Sequence, residues 1–325
     1  MKIVVTDPII SRFATILRSG GHDPLMAADR PDEEVVTTLR DADVMVCSRM
    51  TEPMARAGTG LRLVQVTGAG YERIPLDALA PRTAVANTSH HGRAIAEHVI
   101  MTVLMLSRRV LRTDRLLRQG VWESVAVDPD LTLGDSVAGR TVGLLGLGEI
   151  GGQVARLAAA MGMRVQAARR DPGSPLEPGL ELDRVVSMGE LPALLATSDV
   201  VVVTVPLNPH TRGLIGAAEL RRMRRSALLV NVSRGPVVDE RALYDALADG
   251  QIAGAAIDVW WPTDGVNRSG ATLPFAELDN VVLTPHNSGH TRETFESRAR
   301  DIAANLTALE TGRPLRNVVR AAAGA

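Results

Sequence analysis

The 325-residue sequence predicts an α/β fold of two lobes with parallel sheets, the first lobe being discontinuous along the chain. Three observations carry this expectation. Short β-branched runs come in two series, KIVVTD, DVMVCS and RLVQVT, then TVGLLG, RVQAAR, DVVVVTV, ALLVNVS, GAAIDV and VVLTPH. Continuous apolar runs of this length, separated by helices, read as parallel strands buried on both faces. The chain is also long for one core and comfortable for two.

The elements follow in order. The three early runs are strand candidates, each followed by a polar or small-residue loop. Residues 94–109 are apolar on most faces and suit a long helix joining the lobes. In the second series, helices are expected over Ile150–Met161, Leu191–Thr197, Ala217–Met223 and Glu240–Ala248. Gly162 and Gly250 stand where C-cap glycines fall. A last helix over Arg292–Thr311 would return to the first lobe. The expected division is therefore 1–95 with 290–325 as one domain, and 96–289 as the other.

Composition narrows the function. Hydrophobic residues at 45% and charged residues at 22% are ordinary for a globular protein. A formal net charge of -1 argues against a nucleic-acid partner, which would favour a basic surface. The dense RRMRR run, Arg221–Arg225, is short and without interleaved aromatics, so it reads as a solvated helix face. The single cysteine, Cys47, excludes an intramolecular disulfide and lies in an apolar run as a buried hydrophobe. The most apolar segment, AIAEHVIMTVLML, is too short to span a bilayer and contains Glu97 and His98, so no membrane partner is expected. The opening MKIVVTDP reads as a strand rather than a targeting segment, and a cytoplasmic protein is expected. No metal site is expected.

Chemistry enters with TVGLLGLGEIGGQVA. Gly146, Gly148 and Gly151 have G-x-G-x-x-G spacing between a strand and a helix, with another strand following, the context that makes the motif specific. Gly146 permits the tight turn, Gly148 lets backbone approach a pyrophosphate, and Gly151 allows close helix–sheet packing. Glu149 and Ile150 open the helix and offer free amides to phosphate. The next strand ends at Arg169, followed by Arg170, where an acidic residue would bind an adenosine ribose and repel a 2′-phosphate. A guanidinium there can fork onto phosphate oxygens, so NADP(H) is expected in preference to NAD(H). The alternative is that both arginines are solvated and Asp171 binds the ribose.

Three further strands end in polar residues: Arg234 after LLVNVS, Asp258 after GAAI, and His286 after VVLTP. An arginine that binds and polarises an oxoacid, with a histidine that moves a proton, suits hydride transfer to a carbonyl. With these residues in place, GLLGLGEIGGQVA, TVPLNPHTRGLI, LLVNVSRGPVVDERAL, AIDVW, TPHNSG and IAEHV together resemble the D-isomer-specific 2-hydroxyacid dehydrogenase family, over most of the chain from about Thr67 onward. The resemblance implies two Rossmann-like or flavodoxin-like lobes, a catalytic lobe split between both termini, and a homodimer formed through the nucleotide domain. It implies Arg234 as the substrate-binding arginine, His286 as the acid/base, and Asp258 near the nicotinamide amide. Val205 and Pro206 would line the cofactor, with Val232, Ser233 and Ser288 on the same side, and Ala69 and Gly70 of TGAGYE would hold the substrate carboxylate.

One departure stands out. The family's glutamate, five residues after the aspartate and paired with the histidine, is Thr263 here, with Asp264 beside it. This stretch is closer to formate dehydrogenases. The expected activity is hydride transfer between NAD(P) and a small 2-oxoacid or D-2-hydroxy acid. Oxidation of a small anion such as formate or phosphite is the alternative enzyme, and a dinucleotide-sensing partner protein the alternative of another class. His98 is read as a packed, hydrogen-bonded histidine and His290 as part of a helix start. His90 and His91 are read either as substrate contacts or as loop residues, and Arg49 as a solvated strand-end arginine that could instead project into the cleft.

Overall fold

The computed structural model describes residues 1–261 and 270–323. It divides into a split unit, Met1–His90 with His290–Ala325, and a continuous unit, His91–Gly289. A boundary between 95 and 96 would have cut the helix Gly92–Ser107; the chain instead changes unit just before that helix begins.

The strands among the described residues are, in chain order, β1 (Ile3–Val5), β2 (Leu25–Met26), β3 (Val44–Cys47), β4 (Leu63–Val66), β5 (Ala84–Ala86), β6 (Thr141–Leu145), β7 (Arg164–Arg169), β8 (Arg184–Ser187), β9 (Val200–Val203), β10 (Leu228–Asn231), β11 (Gly254–Ile257), β12 (Val281–Leu283) and β13 (Val318–Arg320). The split unit holds a sheet ordered β13-β5-β4-β3-β1-β2, and the continuous unit one ordered β12-β11-β10-β9-β6-β7-β8. Every pairing in the second sheet is parallel. The first sheet departs from the expected parallel pattern at one edge, where β13 runs antiparallel to β5. The sequence reading omits four strands: β2, β8 and β13, short edge strands whose burial is incomplete and whose apolar signal is correspondingly weak, and β5, which is buried but only three residues long.

Burial on both faces explains the apolar runs. All four valines of β9 and all five residues of β6 are buried. In the continuous unit, Val99, Val103, Val154, Ala155 and Ala158 belong to one core layer, and Leu194, Leu195, Leu220, Leu243 and Leu247 to another. In the split unit, the helix Arg292–Glu310 puts Phe295, Ala299, Ile302 and Leu306 into one core with Ile3, Val5, Val44 and Leu63. Their spacing of four, three and four residues is one face of a helix. The helices Glu149–Ala160, Leu191–Thr197 and Glu240–Ala248 fall where expected, whereas the one from Ala217 stops at Leu220. Gly162 and Gly250, with φ of +75° and +62°, follow helix ends in the left-handed conformation that glycine adopts without strain.

The sheet order positions the site. From β6 the chain moves outward to β7 and β8, then returns to β9 on the other side and continues to β12. Open parallel sheets bind ligands beyond the carboxyl ends of the strands at this point of reversal. β6 and β9 are the adjacent pair there.

Candidate active site

The turn after β6 has the geometry of a phosphate cradle. Gly146 sits at φ +101°, and its N–H donates to the Ala168 carbonyl at 2.9 Å. The Thr204 hydroxyl donates to the carbonyl oxygens of Leu145 and Gly146, both at 3.0 Å, pinning the turn to the end of β9. A Cβ on Gly151 would stand 2.4 Å from the Gly146 carbonyl oxygen, so the helix Glu149–Ala160 approaches this closely only with glycine there. A Cβ on Gly148, by contrast, would meet nothing within 4 Å. Gly148 therefore borders open space at a helix N-terminus, where amides and the helix dipole attract an anion. The Glu149 side chain turns elsewhere and accepts from the Gly92 N–H at 3.1 Å, leaving its backbone as the part available to phosphate. Ile150 is half-buried behind it; Val205 is buried and Pro206 exposed just after β9.

At the end of β7 the two arginines differ. Arg169 folds back on its own loop, donating to the carbonyls of Pro172 (3.2 Å) and Ser174. Arg170 is exposed. Asp171 accepts from the Gly173 N–H and the Ser174 hydroxyl, so it closes the same loop, and these hydrogen bonds hold its carboxyl below the usual carboxylate range.

The carboxyl ends of β10, β11 and β12 lie side by side. After β10, Asn231 accepts from the Ser233 N–H and hydroxyl and donates to the Arg234 carbonyl at 3.1 Å. This side-chain turn fixes the backbone of the half-buried Arg234, whose Nη1 donates to the Ser233 carbonyl at 2.8 Å. Val232 and Ser233 are buried, at 5% and 6% exposure, and form the floor of this loop. After β11, the Asp258 side chain is only 1% exposed. Its carboxylate accepts from the Thr284 hydroxyl at 2.6 Å, from the N–H groups of Asn287 and Ser288, and from the Ser288 hydroxyl. Its oxygens anchor the loop that carries His286. A buried charge needs such partners. His286 itself is exposed, with φ +56°, and its N–H donates to the Thr284 carbonyl at 3.0 Å.

Thr204, Asn231, Trp260 and Thr284 are site residues that sequence reasoning missed. Asn231 carried a usable signal, since Asn two residues before Ser in a strand-end NVS is a side-chain turn pattern; the others are visible only through tertiary contacts. His98, half-buried on the helix Gly92–Ser107, reaches the Thr284 hydroxyl at 3.5 Å, so its packed role includes the back of this loop. Burial lowers its pKa against the opposing pull of Asp258.

The other candidates belong mostly to the split unit. Ala69 and Gly70 follow β4 in the split unit, where the Ala69 carbonyl accepts from the Asn87 amide at 2.7 Å. His90 pairs with Asp301 at 2.6 Å within the same unit, and Arg49 forms a two-toothed pair with Asp32. His90 and Arg49 are thereby held by carboxylates of their own unit. His91 is half-buried at the start of the helix Gly92–Ser107. His290 precedes the helix cap Thr291 and packs against Phe295, with ring centroids 5.3 Å apart. Cys47 is buried, and desolvation pushes its thiol up to about 12, far from nucleophilic use. Thr263 and Asp264 lie outside the described residues.

This edge joins a dinucleotide turn to an arginine and a histidine on nearby strand ends. Residues 100–288 match the model of the D-isomer specific 2-hydroxyacid dehydrogenase NAD binding domain. The chain belongs to the D-isomer-specific 2-hydroxyacid dehydrogenase family. It is similar to a glyoxylate reductase of Korarchaeum cryptofilum, 36% identical over 88% of this chain and 85% of that one. It is also similar to a D-3-phosphoglycerate dehydrogenase of Archaeoglobus fulgidus, 32% identical over 98% of this chain; the chain spans about three fifths (59%) of that relative's length. A crystal structure of the TT0316 protein from Thermus thermophilus superposes with a TM-score of 0.84, 31% identical over 98% of this chain and all of the other. As a member of the dehydrogenase family, the chain is a nicotinamide-dependent oxidoreductase, and the cradle at Gly146–Gly151 fits its dinucleotide. Among the described residues, no cluster of His, Cys, Asp or Glu could hold a metal ion, and no helix is long and apolar enough to cross a membrane.

Proposed function

We propose that this dehydrogenase reduces a small 2-oxoacid to its D-2-hydroxy acid, and catalyses the reverse reaction, with NADP(H) preferred. The observation that carries the reading is the placement of Arg234 and His286 at the carboxyl ends of β10 and β12, on the sheet edge that holds the glycine turn. The bound nicotinamide supplies or accepts the hydride. Arg234 pairs with the oxoacid and draws electron density toward the carbonyl oxygen, a charge-assisted contact suited to a planar fork. The His286 imidazolium gives its proton to that oxygen as negative charge develops there, and the neutral ring takes it back in the oxidation. Ala69 and Gly70, in the split unit, keep the carboxylate-binding role that the resemblance of TGAGYE implies. Turnover of a panel of 2-oxoacids, formate and phosphite with both nucleotides tests the reading. Fastest turnover of a 2-oxoacid supports it; turnover of formate or phosphite alone sinks it.

The preference for NADP(H) rests on two arginines at the ribose end of β7. Arg169 shapes the loop through its carbonyl contacts, and the exposure of Arg170 supports assigning the 2′-phosphate contact to its guanidinium. A charge-assisted contact contributes about 1.5–3 kcal/mol, so kcat/KM with NADPH should exceed that with NADH by roughly tenfold or more. Arg170→Ala should erase most of that ratio, and a wild type using both nucleotides equally would refute the preference.

The enzyme is further read as a homodimer through the continuous unit. Leu117, Val121, Trp122, Val127 and Leu133 are exposed there, Trp122 and Leu133 by 71% each, and these apolar side chains are close together in sequence, which supports the reading. Light scattering on the wild type and on Trp122→Asp tests this; a wild type monomeric at micromolar concentration would exclude it.

A further inference from the structure

Trp260 stands where the two reacting loops meet, and its backbone and side chain each serve one of them. A Cβ on Gly235 would stand 2.2 Å from the Trp260 carbonyl oxygen and 2.8 Å from the Trp261 nitrogen, so the backbone directly after Arg234 rests on the backbone of Trp260. The Trp260 indole Nε1–H donates to the Thr284 carbonyl at 2.9 Å. That same carbonyl accepts the His286 N–H at 3.0 Å, the bond that closes the turn holding His286 at φ +56°. A histidine in the left-handed region persists where its surroundings fix it. Here one oxygen with two donors, the Thr284 carbonyl, is part of that fixing.

We propose that Trp260 is a positioning residue for hydride transfer, its indole N–H setting the spacing between Arg234 and His286 through the Thr284 carbonyl. The inference rests on the roles given above to those two residues. An oxoacid held by the arginine must present its carbonyl oxygen to the histidine, and a misplacement of about 1 Å can cost on the order of a hundredfold in rate. The neighbouring contacts show why the nitrogen, and not only the ring, matters. Thr284 is held through its hydroxyl by Asp258 at 2.6 Å and His98 at 3.5 Å, but among the described residues its carbonyl, the group that touches His286, is tied to the β11 loop by the indole alone. The other tryptophan of the pair serves the core: Trp261 donates to the Val238 carbonyl at 2.8 Å and stacks on Phe275.

Phenylalanine at 260 would keep an aromatic ring and remove the donor, which separates positioning from packing. The full-length Trp260→Phe variant and the wild type would be compared in kcat and KM for the 2-oxoacid that turns over fastest, and in NADPH affinity by nucleotide fluorescence, with His286→Gln measured alongside. Loss of one neutral hydrogen bond predicts a fall in kcat of about three- to tenfold, with the NADPH dissociation constant unchanged. Wild-type kcat in Trp260→Phe would overturn the inference, as would an equal loss of nucleotide affinity, which would place the tryptophan in the cofactor site. Wild-type turnover in His286→Gln would instead bring down the assignment of the histidine itself, and the inference with it. A dead His286→Gln beside a fully active Trp260→Phe would leave the site standing and remove only the tryptophan's role.

Discussion

The two halves of the site are built in opposite ways. The phosphate cradle after β6 is nearly complete within six residues, Gly146–Gly151, and its essential features are space and backbone direction. The reacting edge after β10, β11 and β12 gathers Asn231, Arg234, Asp258, Trp260, Thr284 and His286 from segments far apart in sequence, and its essential features are hydrogen bonds between side chains and distant backbone. A local device tolerates little change in volume. A dispersed device tolerates volume better but depends on each polar partner being satisfied.

Perturbing each half in turn sharpens that contrast. The largest effect should come from His286→Ala, which removes the proposed proton donor. Oxoacid reduction should fall at least about a hundredfold, while nucleotide affinity, read by fluorescence titration, stays near wild type. Asp258→Asn should come next. It presents an amide donor to groups that themselves donate, so it should cost about 1–3 kcal/mol in a denaturant melt and lower kcat as the His286 loop loosens. An unchanged melt would mean that the loop is held by its other bonds.

The cradle can be split by two alanines of equal size. Gly151→Ala would force a methyl to 2.4 Å from a backbone oxygen and should cost about 1–3 kcal/mol of stability. Gly148→Ala meets no protein atom within 4 Å, so it should melt like the wild type yet bind NADPH at least about tenfold more weakly. If both variants lose only stability, the space beside Gly148 is not where the pyrophosphate lies.

The smallest effect concerns His98. Burial lowers its pKa from the ordinary 6.5, so the folded protein takes up this proton less readily than the unfolded chain. Its contribution is intact above pH 6.5 and is lost as pH falls through the lower folded value. His98→Gln should therefore flatten the decline in Tm on the acid side of about pH 6.5, with little change at about pH 8; parallel curves would count against this.

What the sequence disclosed follows the same division. The glycine spacing, the apolar strand runs and the helix from Arg292 are local signals and could be read directly. The strand-end positions of Arg234 and His286 could be read too, because the parallel sheet turns sequence order into a shared edge. The internal ties of Arg169, Asp258 and Glu149 could not. Residue type says that a carboxylate or guanidinium will find partners, but only packing says whether those partners belong to the protein or to a ligand. β13 escaped notice for a related reason: three half-exposed residues at an edge have little apolar pattern of their own.

The split of the first unit has a consequence for how the protein is made. The continuous unit can complete its seven-stranded sheet as soon as its own residues have emerged. The other sheet cannot: its edge partner β13 and the helix covering Ile3, Val5 and Leu63 lie at the far end of the chain. Translation at ~5–20 residues per second leaves that apolar face uncovered for roughly ten to fifty seconds after β5 has been synthesised. Throughout that interval the nascent chain carries an open, sticky half-domain, and the continuous unit is finished only near its end. A transcript ending before Arg292 would leave the half-domain in that condition permanently, a substrate for chaperones and proteases rather than a shorter enzyme.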